Sequence, residues 1–172
     1  MDNRQLENLY RENFQKVYNY AYYRLLNHAD AEDVTSGVFL KAVSNIDRFD
    51  PAKASFSTWI LRIAHNVMVD RYRTRKPSVP LETISGNEPS CEDEYPALDE
   101  RQKRVAELLS YLPEDDRELV FLKYYQDKKN IEIAKMLDMN PSTVATRLRR
   151  ALILMRSKAE GGEAEAATSP DV

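Results

Sequence analysis

The sequence is poor in the residues that build metal sites, disulfide frameworks and phosphate-binding loops. Among its 172 residues are one cysteine, two histidines and four glycines. The single cysteine, Cys91, excludes an internal disulfide framework and is typical of a reducing cytoplasm. The histidines and the cysteine lie far apart, and no GxxxxGKS or GxGxxG loop is present. We therefore expect no bound metal, no cofactor and no small-molecule substrate.

Long apolar runs are absent as well. The chain has no run of about 18 apolar residues, and its start, MDNRQLENLYREN, lacks the basic and apolar regions of a signal peptide. We expect a cytoplasmic protein without membrane insertion. Hydrophobic residues still make up 42% of the chain, which is too many for full disorder.

Charge is present but unevenly distributed. The net charge is −3, yet residues 1–76 carry 12 basic and 9 acidic side chains, and residues 101–160 carry 13 and 9. Between these blocks, residues 77–100 carry seven acidic side chains and no basic one. Because counterion release acts on local basic patches, two basic blocks flanking an acidic segment are compatible with nucleic-acid binding.

The pattern of apolar residues predicts helices and little else. The period is near 3.6 residues, and no stretch alternates like a strand. We predict an all-α protein with two small helical domains, at 5–76 and 100–158, joined by a flexible acidic linker at 77–99 and followed by a disordered tail at 159–172. Helices are expected at 4–27, 30–46 (capped by Asp30, with Val43 inward), 55–75, 99–111, 113–125, 130–137 and 141–158.

The segment NIEIAKML-DMN-PSTVATRLRRALILM predicts a helix-turn-helix. Asn140 is a good N-cap and Pro141 suits the first helical position. With Val144 buried, the opposite face of the second helix carries hydroxyls near its start and guanidiniums one turn later, which suits a recognition helix in the major groove: Ser142, Thr146, Arg149 and Arg150. Arg147 lies on the flank, nearer a backbone phosphate. An ordinary amphipathic helix with a solvated basic face is the alternative.

A second basic stretch, FDPAKASFSTWILRIAHNVMVDRYRTRK, interleaves cations with aromatic rings. Such a stretch suits single-stranded DNA, because bases stack on rings while cations follow the phosphates. The loop Phe49–Phe56 could hold an extruded base. Alternatively, Phe56 and Trp59 are core residues, and for Trp59 this second interpretation is favoured.

These segments, in this order, resemble an extracytoplasmic-function (ECF) RNA polymerase sigma factor of the sigma-70 family. DAEDVTSGVFLKAV is similar to region 2.2, FSTWILRIAHNVMVDRYR to regions 2.3 and 2.4, LPEDDRELVFLKYY to region 4.1, and IEIAKMLDMNPSTVATRLRRAL to region 4.2. The resemblance covers about residues 5–76 and 100–157. It implies a protein without catalytic residues that binds core RNA polymerase and directs transcription initiation at specific promoters.

The resemblance also implies roles for residues. Contacts with core polymerase are implied at the β′ coiled coil through Asp30, Asp33, Val34, Phe39 and Lys41, and at the β flap through Leu119, Val120, Leu122 and Tyr124. The −10 promoter element is implied to bind Lys53, Ser55, Phe56, Trp59, Arg62, Asn66, Arg71 and Arg73. The −35 element is implied to bind Ser142, Thr143, Thr146, Arg147, Arg149 and Arg150. An anti-sigma factor is a further implied partner.

The chain departs from the family pattern at Ser36 and Gly37, where Gln and Glu are common, at Asp138, where Gly is usual, and at Ala145, where a basic residue is frequent. Two other functions stay open at this point. One is a stand-alone helix-turn-helix regulator that binds duplex DNA without polymerase. The other is an enzyme using carboxylates such as Asp115, Asp116 and Glu118, although at a helix start these are better explained as charges favourable to the helix dipole.

Overall fold

A computed structural model of the chain describes residues 3–74 and 99–166. These ranges contain no strand, which confirms the all-α prediction. The α-helices are α1 (Asn3–Leu25), α2 (His28–Ser44), α3 (Phe56–Thr74), α4 (Glu100–Ser110), α5 (Glu114–Val120), α6 (Asn130–Leu137) and α7 (Pro141–Ala166). A 3-10 turn, Ile46–Arg48, follows α2, and a π-helical turn, Phe121–Tyr125, continues α5.

The chain divides into two compact units, as the sequence predicts. The first unit contains α1 up to Tyr22, together with α2 and α3. The second contains Tyr23–Leu26 and the helices from α4 onward. The predicted linker, with Cys91, lies outside the described residues except for Asp99, which begins the second range.

The core of the first unit forms where α2 packs on α3. Its fully buried side chains include Val34, Val38, Ala42, Ile60, Leu61, Ala64 and Met68. Removing this apolar surface from water is the main favourable term in folding. The expectation that Val43 points inward is wrong, since its side chain is 47% exposed. Val43 follows Ala42 by one residue, which turns it about 100° away from the buried side chain.

Helix α2 begins earlier than the sequence predicts. Its N-cap is Asn27, whose side-chain oxygen accepts a hydrogen bond of 2.9 Å from the backbone N–H of Asp30. Asp30 itself lies in the first helical turn, where a carboxylate is favourable to the helix dipole. The prediction of Asp30 as the cap is therefore wrong by three residues.

The second unit surrounds the inner face of α7. Val144, Leu148 and Ala151 on that face are buried, and so are Leu119 of α5 and Ile133 of α6, the two helices that pack on α7. Helix α7 continues to Ala166, well past the predicted end at 158. Of the predicted disordered tail, residues 159–166 are thus helical and 167–172 lie outside the described range.

Helix α4 begins with a capping box, which was not among the sequence-based predictions. The Asp99 carboxylate accepts from the backbone N–H of Gln102 at 2.7 Å, and the Gln102 side chain accepts from the backbone N–H of Asp99 at 3.0 Å. This reciprocal pair satisfies two backbone donors at the helix start. Two acidic residues counted within the acidic segment, Asp99 and Glu100, therefore belong to the second unit.

Candidate nucleic-acid interface

The turn between α6 and α7 has the geometry that the sequence predicts. Asp138 ends α6 in the left-handed conformation, with φ 54° and ψ 47°. The backbone N–H of Met139 donates to the carbonyl of Ala134 at 2.8 Å. Asn140 caps α7, because its Oδ1 accepts from the backbone N–H of Ser142 at 2.9 Å and from the Ser142 hydroxyl at 2.8 Å. The start of α7 is fixed by local hydrogen bonds.

The outer face of α7 presents the predicted chemistry to solvent. The exposed side chains are Ser142, Thr143, Thr146, Arg149 and Arg150. The chain has no aspartate or glutamate between Pro141 and Ala159, so this face has no acidic side chain of its own. An exposed helix face with hydroxyls at its N-terminal end and arginines one turn later can enter a major groove and donate hydrogen bonds to base edges and phosphates.

Arg147 is arranged differently from the other predicted arginines of α7. Its Nε donates to Oδ1 of Asp116 at 2.7 Å, and its Nη2 lies 2.6 Å from the same oxygen. Asp116 belongs to the first turn of α5. The guanidinium is therefore directed at the body of the second unit and bound to a carboxylate.

A groove runs beside the outer face of α7 in the second unit. It has a volume of about 540 Å³ and is lined by Lys123, Tyr124, Asn130, Ala145, Leu148, Arg149, Leu152, Ile153 and Arg156. Three of these side chains are cationic, and none of the described lining residues is acidic. Arg149 thus borders both the groove and the exposed outer face of α7. Leu152 and Ile153 add exposed apolar surface to the groove.

The apolar residues predicted to meet the β flap are mostly inside the protein. Leu119, Val120 and Leu122 are buried, because they face the core beneath α7. Only Tyr124 of this set is exposed, at 58%, and it lines the groove. The expectation that all four residues form a contact surface for the β flap is therefore wrong, because only Tyr124 is exposed.

The aromatic residues before and within α3 pack on one another. The ring centroids of Phe49, Phe56 and Trp59 are 5.3 to 5.5 Å apart. Phe56 is only 9% exposed, and Trp59 is half-buried. The interpretation of these two residues as packed side chains is thus supported by their burial, and Phe56 has little surface to offer a ligand.

The loop before α3 is held by local hydrogen bonds. Ser55 caps the helix, since its Oγ accepts from the backbone N–H of Thr58 at 3.2 Å. Lys53 projects into solvent and lies 3.4 Å from Asp50. The groove that includes Phe56 has a volume of about 290 Å³, and its other lining residues belong to α1, α2 and the 3-10 turn. The loop Phe49–Phe56 contributes only Phe56 to this groove, so the groove is not the pocket that the sequence predicts for the loop.

The solvent side of α3 carries Arg62, Asn66 and Arg73, all exposed as the sequence predicts. Arg71, also predicted to bind DNA, faces α2 and forms an ion pair with Asp30. Asp70 accepts from Lys41 of α2 at 3.2 Å. Two predicted polymerase-binding residues, Asp30 and Lys41, are thus engaged with α3, and Arg71 is engaged with α2.

The outer surface of α2 differs in part from the predicted contact set. Asp33 and Lys41 are exposed, but Val34 and Phe39 are buried and support the core. Leu40, which lies outside the predicted contact set, is 69% exposed. The helical period would have identified it, because Leu40 falls opposite the buried side chains of Val38 and Ala42.

The carboxylates considered for catalysis take part in structural ion pairs. Asp116 holds Arg147, as described above. Glu118, only 2% exposed, accepts from Arg24 of the same unit at 2.5 Å. Within the described ranges, no group of three or more His, Cys, Asp or Glu side chains could hold a metal ion. No helix in the described part of the chain is long and apolar enough to cross a membrane.

Comparison with known proteins agrees with the motif pattern. The family models for Sigma-70 region 2 and Sigma-70 region 4 match residues 9–77 and 102–155, respectively. The ECF RNA polymerase sigma factor SigW of Bacillus subtilis is 33% identical over 156 residues, which cover 83% of this chain and 82% of SigW. SigK of Mycobacterium tuberculosis is also 33% identical, over 133 residues that cover 74% of this chain and 71% of SigK.

Two solved structures share the fold. The sigma factor RpoE of Bartonella quintana, in complex with the anti-sigma factor NepR, is 19% identical, with a TM-score of 0.72 and coverage of 91% of this chain and 98% of RpoE. CnrH, in complex with the cytosolic domain of CnrY, is 23% identical, with a TM-score of 0.66 and coverage of 93% and 90%. On the strength of the two matched regions and the relatives aligned across most of their length, the chain belongs to the ECF family of RNA polymerase sigma factors.

Proposed function

We propose that this chain is an alternative sigma factor that binds core RNA polymerase and directs it to promoters, reading the −35 element with α7 and the −10 element with α3. The observation that carries the proposal is the outer face of α7. There, exposed hydroxyls and arginines follow a capped helix start, without an acidic side chain between Pro141 and Ala159. The chain catalyses no reaction of its own and acts in the cytoplasm with the polymerase.

For the −35 element, α7 enters the major groove with its capped end. Ser142, Thr143 and Thr146 donate to phosphates or base edges at that end. Arg149 and Arg150 follow one turn later, and arginine can donate two hydrogen bonds to O6 and N7 of guanine. Ala145 is exposed on this face at a position where a basic residue is frequent in the family. We therefore expect fewer phosphate contacts there.

For the −10 element, α3 presents Arg62, Asn66 and Arg73 to the separated strands, and Lys53 adds charge from the loop. Cations that follow the phosphates, close to aromatic rings, suit single-stranded DNA. The half-buried Trp59 leaves part of its ring accessible to a base, whereas the buried Phe56 packs against that ring. Ser55 contributes by capping α3, and Arg71 contributes by joining α3 to α2.

For core polymerase, we propose two contact surfaces. The β′ coiled coil meets the exposed side of α2 through Asp33, Leu40 and Lys41. The β flap meets the groove that contains Tyr124 and Ile153, where exposed apolar side chains replace the buried leucines of the sequence-based prediction. An anti-sigma factor is a further proposed partner, since RpoE and CnrH, which share the fold, were both solved as complexes, RpoE with an anti-sigma factor and CnrH with the cytosolic domain of CnrY.

In-vitro transcription tests the proposal. Purified core polymerase is incubated with a library of genomic fragments, with and without this chain, and RNA 5′ ends are mapped. We expect new start sites that share two upstream elements and that disappear when Arg149 and Arg150 are both replaced by alanine. A matched control replaces two exposed cations of α4, Arg101 and Lys103.

One outcome of these experiments would contradict the proposal. If the chain binds duplex DNA tightly on its own and polymerase starts at the same sites without it, the chain acts as a stand-alone regulator and the proposal is wrong.

A further inference from the structure

Arg147 and Asp116 form an ion pair that links the recognition helix to α5. The guanidinium reaches Oδ1 of Asp116 with two nitrogens, Nε at 2.7 Å and Nη2 at 2.6 Å. The two residues are 31 positions apart in the chain. The contact is therefore a product of tertiary packing and not of local helix geometry.

The pair is more shielded than a typical surface ion pair. The Arg147 side chain is 30% exposed and that of Asp116 is 19% exposed. One hydrogen bond from Nε and the close approach of Nη2 hold two nitrogens of the planar guanidinium at the same carboxylate oxygen, which orients it more firmly than a single lysine contact would. The contact therefore restrains the rotation of α7 about its own axis.

The position of Arg147 on the helix explains its different partner. It lies about 60° from the buried Val144, whereas Arg149 and Arg150 lie about 120° or more from it. Arg147 is thus close enough to the body of the unit to meet α5. The other two arginines extend away from it into solvent.

We propose that Asp116 is a positioning and specificity-determining residue for promoter recognition. It withholds Arg147 from DNA phosphates and fixes α7 with its hydroxyls and its two outer arginines facing the DNA. Each cation that neutralises a phosphate adds affinity for DNA of any sequence. Withholding one such cation lowers binding to correct and unrelated DNA alike, so the preference for the correct element comes from the fixed orientation of α7. The inference rests on the proposed function of α7.

The test uses the full chain bound to core polymerase. Binding is measured over a range of salt concentrations, with a duplex that carries the upstream element found by transcription mapping and with an unrelated duplex of equal length. The variants are Asp116→Asn, Arg147→Gln and the double variant. Glu107→Gln on α4 is the control, because it makes the same change of charge at an exposed carboxylate.

We expect Asp116→Asn to release Arg147 for a phosphate and to steepen the slope of log K against log salt by about 0.9 on both duplexes. The preference for the promoter duplex should fall at the same time, because α7 loses the contact that fixes its orientation. The double variant should return to the wild-type slope, because the released guanidinium is gone. Arg147→Gln and Glu107→Gln should leave the slope unchanged.

Two results would overturn the inference. One is an Arg147→Gln slope that is flatter by about 0.9, which would mean that Arg147 leaves Asp116 and binds a phosphate in the complex. The other is an Asp116→Asn slope equal to that of wild type or of Glu107→Gln. Thermal melting of each variant checks the fold, and if Asp116→Asn does not fold, the Arg147→Gln slope alone decides between the two arrangements.

Failure of the proposed function would look different. In that case the wild-type complex would show no preference between the two duplexes. The salt slopes of the variants would still report whether Arg147 is withheld from phosphates.

Discussion

Under the proposed function, base reading by α7 depends most directly on Arg149, which is exposed on the outer face of α7 and also borders the groove. We predict that Arg149→Ala costs about 1–3 kcal/mol in binding to the promoter duplex and relaxes discrimination at one base pair. Competition binding of the polymerase complex with single-base variants of the duplex measures both effects. Arg101→Ala on α4 serves as the control.

Retained discrimination in Arg149→Ala would remove Arg149 from the base-reading set. A uniform loss of affinity across all duplexes, with a flatter salt slope, would instead identify it as a phosphate contact.

Leu40 is the exposed apolar residue that best explains how α2 could bind another protein. A leucine that is 69% exposed contributes little to the stability of the free protein. We predict that Leu40→Glu weakens binding to core polymerase by more than about 1 kcal/mol and leaves the melting temperature nearly unchanged. Ile131→Glu, at a similarly exposed isoleucine of α6, is the matched control. Equal effects of the two variants on polymerase binding would contradict a specific role for α2.

At the scale of the element, the start of α7 depends on Asn140. Its side chain satisfies the backbone N–H of Ser142, one of the donors that the helix cannot satisfy itself. We predict that Asn140→Ala lowers the free energy of unfolding by about 1 kcal/mol, whereas Asn140→Asp retains most of the stability. Urea denaturation followed by circular dichroism measures the difference. Identical midpoints for the alanine and aspartate variants would mean that the cap adds nothing measurable.

The turn before α7 combines with this cap to set the angle between α6 and α7. Asp138 accepts the left-handed conformation that a glycine would adopt more easily, and Asp is among the residues that tolerate it. The departure from the family pattern at this position therefore leaves the turn intact. The chain therefore forms a left-handed turn before α7 without a glycine.

At the scale of the whole molecule, the two compact units are joined by a segment rich in acidic residues. With seven acidic side chains and no basic one, residues 77–100 carry charge of the same sign as RNA, so we expect them to compete with RNA for basic surfaces of the polymerase. We predict that replacing its acids by their amides eases displacement and lowers the ratio of abortive to full-length RNA. The positions are Glu82, Glu88, Glu92, Asp93 and Glu94.

In-vitro transcription from one promoter measures this ratio, and binding to the promoter duplex is measured alongside it. An unchanged ratio with unchanged binding would contradict a role of the acidic charges in promoter escape. Changing Glu92 and Glu94 alone to glutamine is compared with the same change at Glu163 and Glu165, near the C-terminal end of the chain, which removes the same number of charges outside the segment.

The sequence by itself determined which segments are helical, the cap at Asn140 and the exposed set on α7. These features depend on contacts within a few residues and on the 3.6-residue period, both of which are visible in a single chain. The resemblance to sigma regions 2 and 4 identified the family, because each motif is a contiguous stretch of the sequence.

Only the tertiary structure decided which charged side chains form ion pairs with other helices. Arg147 and Asp116 are 31 residues apart, and Arg71 and Asp30 are 41 apart, so no local pattern indicates that either pair meets. It likewise decided that Leu119 and Leu122 are buried while Leu40 and Tyr124 are exposed. The reason is physical: the period tells which side chains share a face, but only the packing of distant helices tells which face is covered and by what.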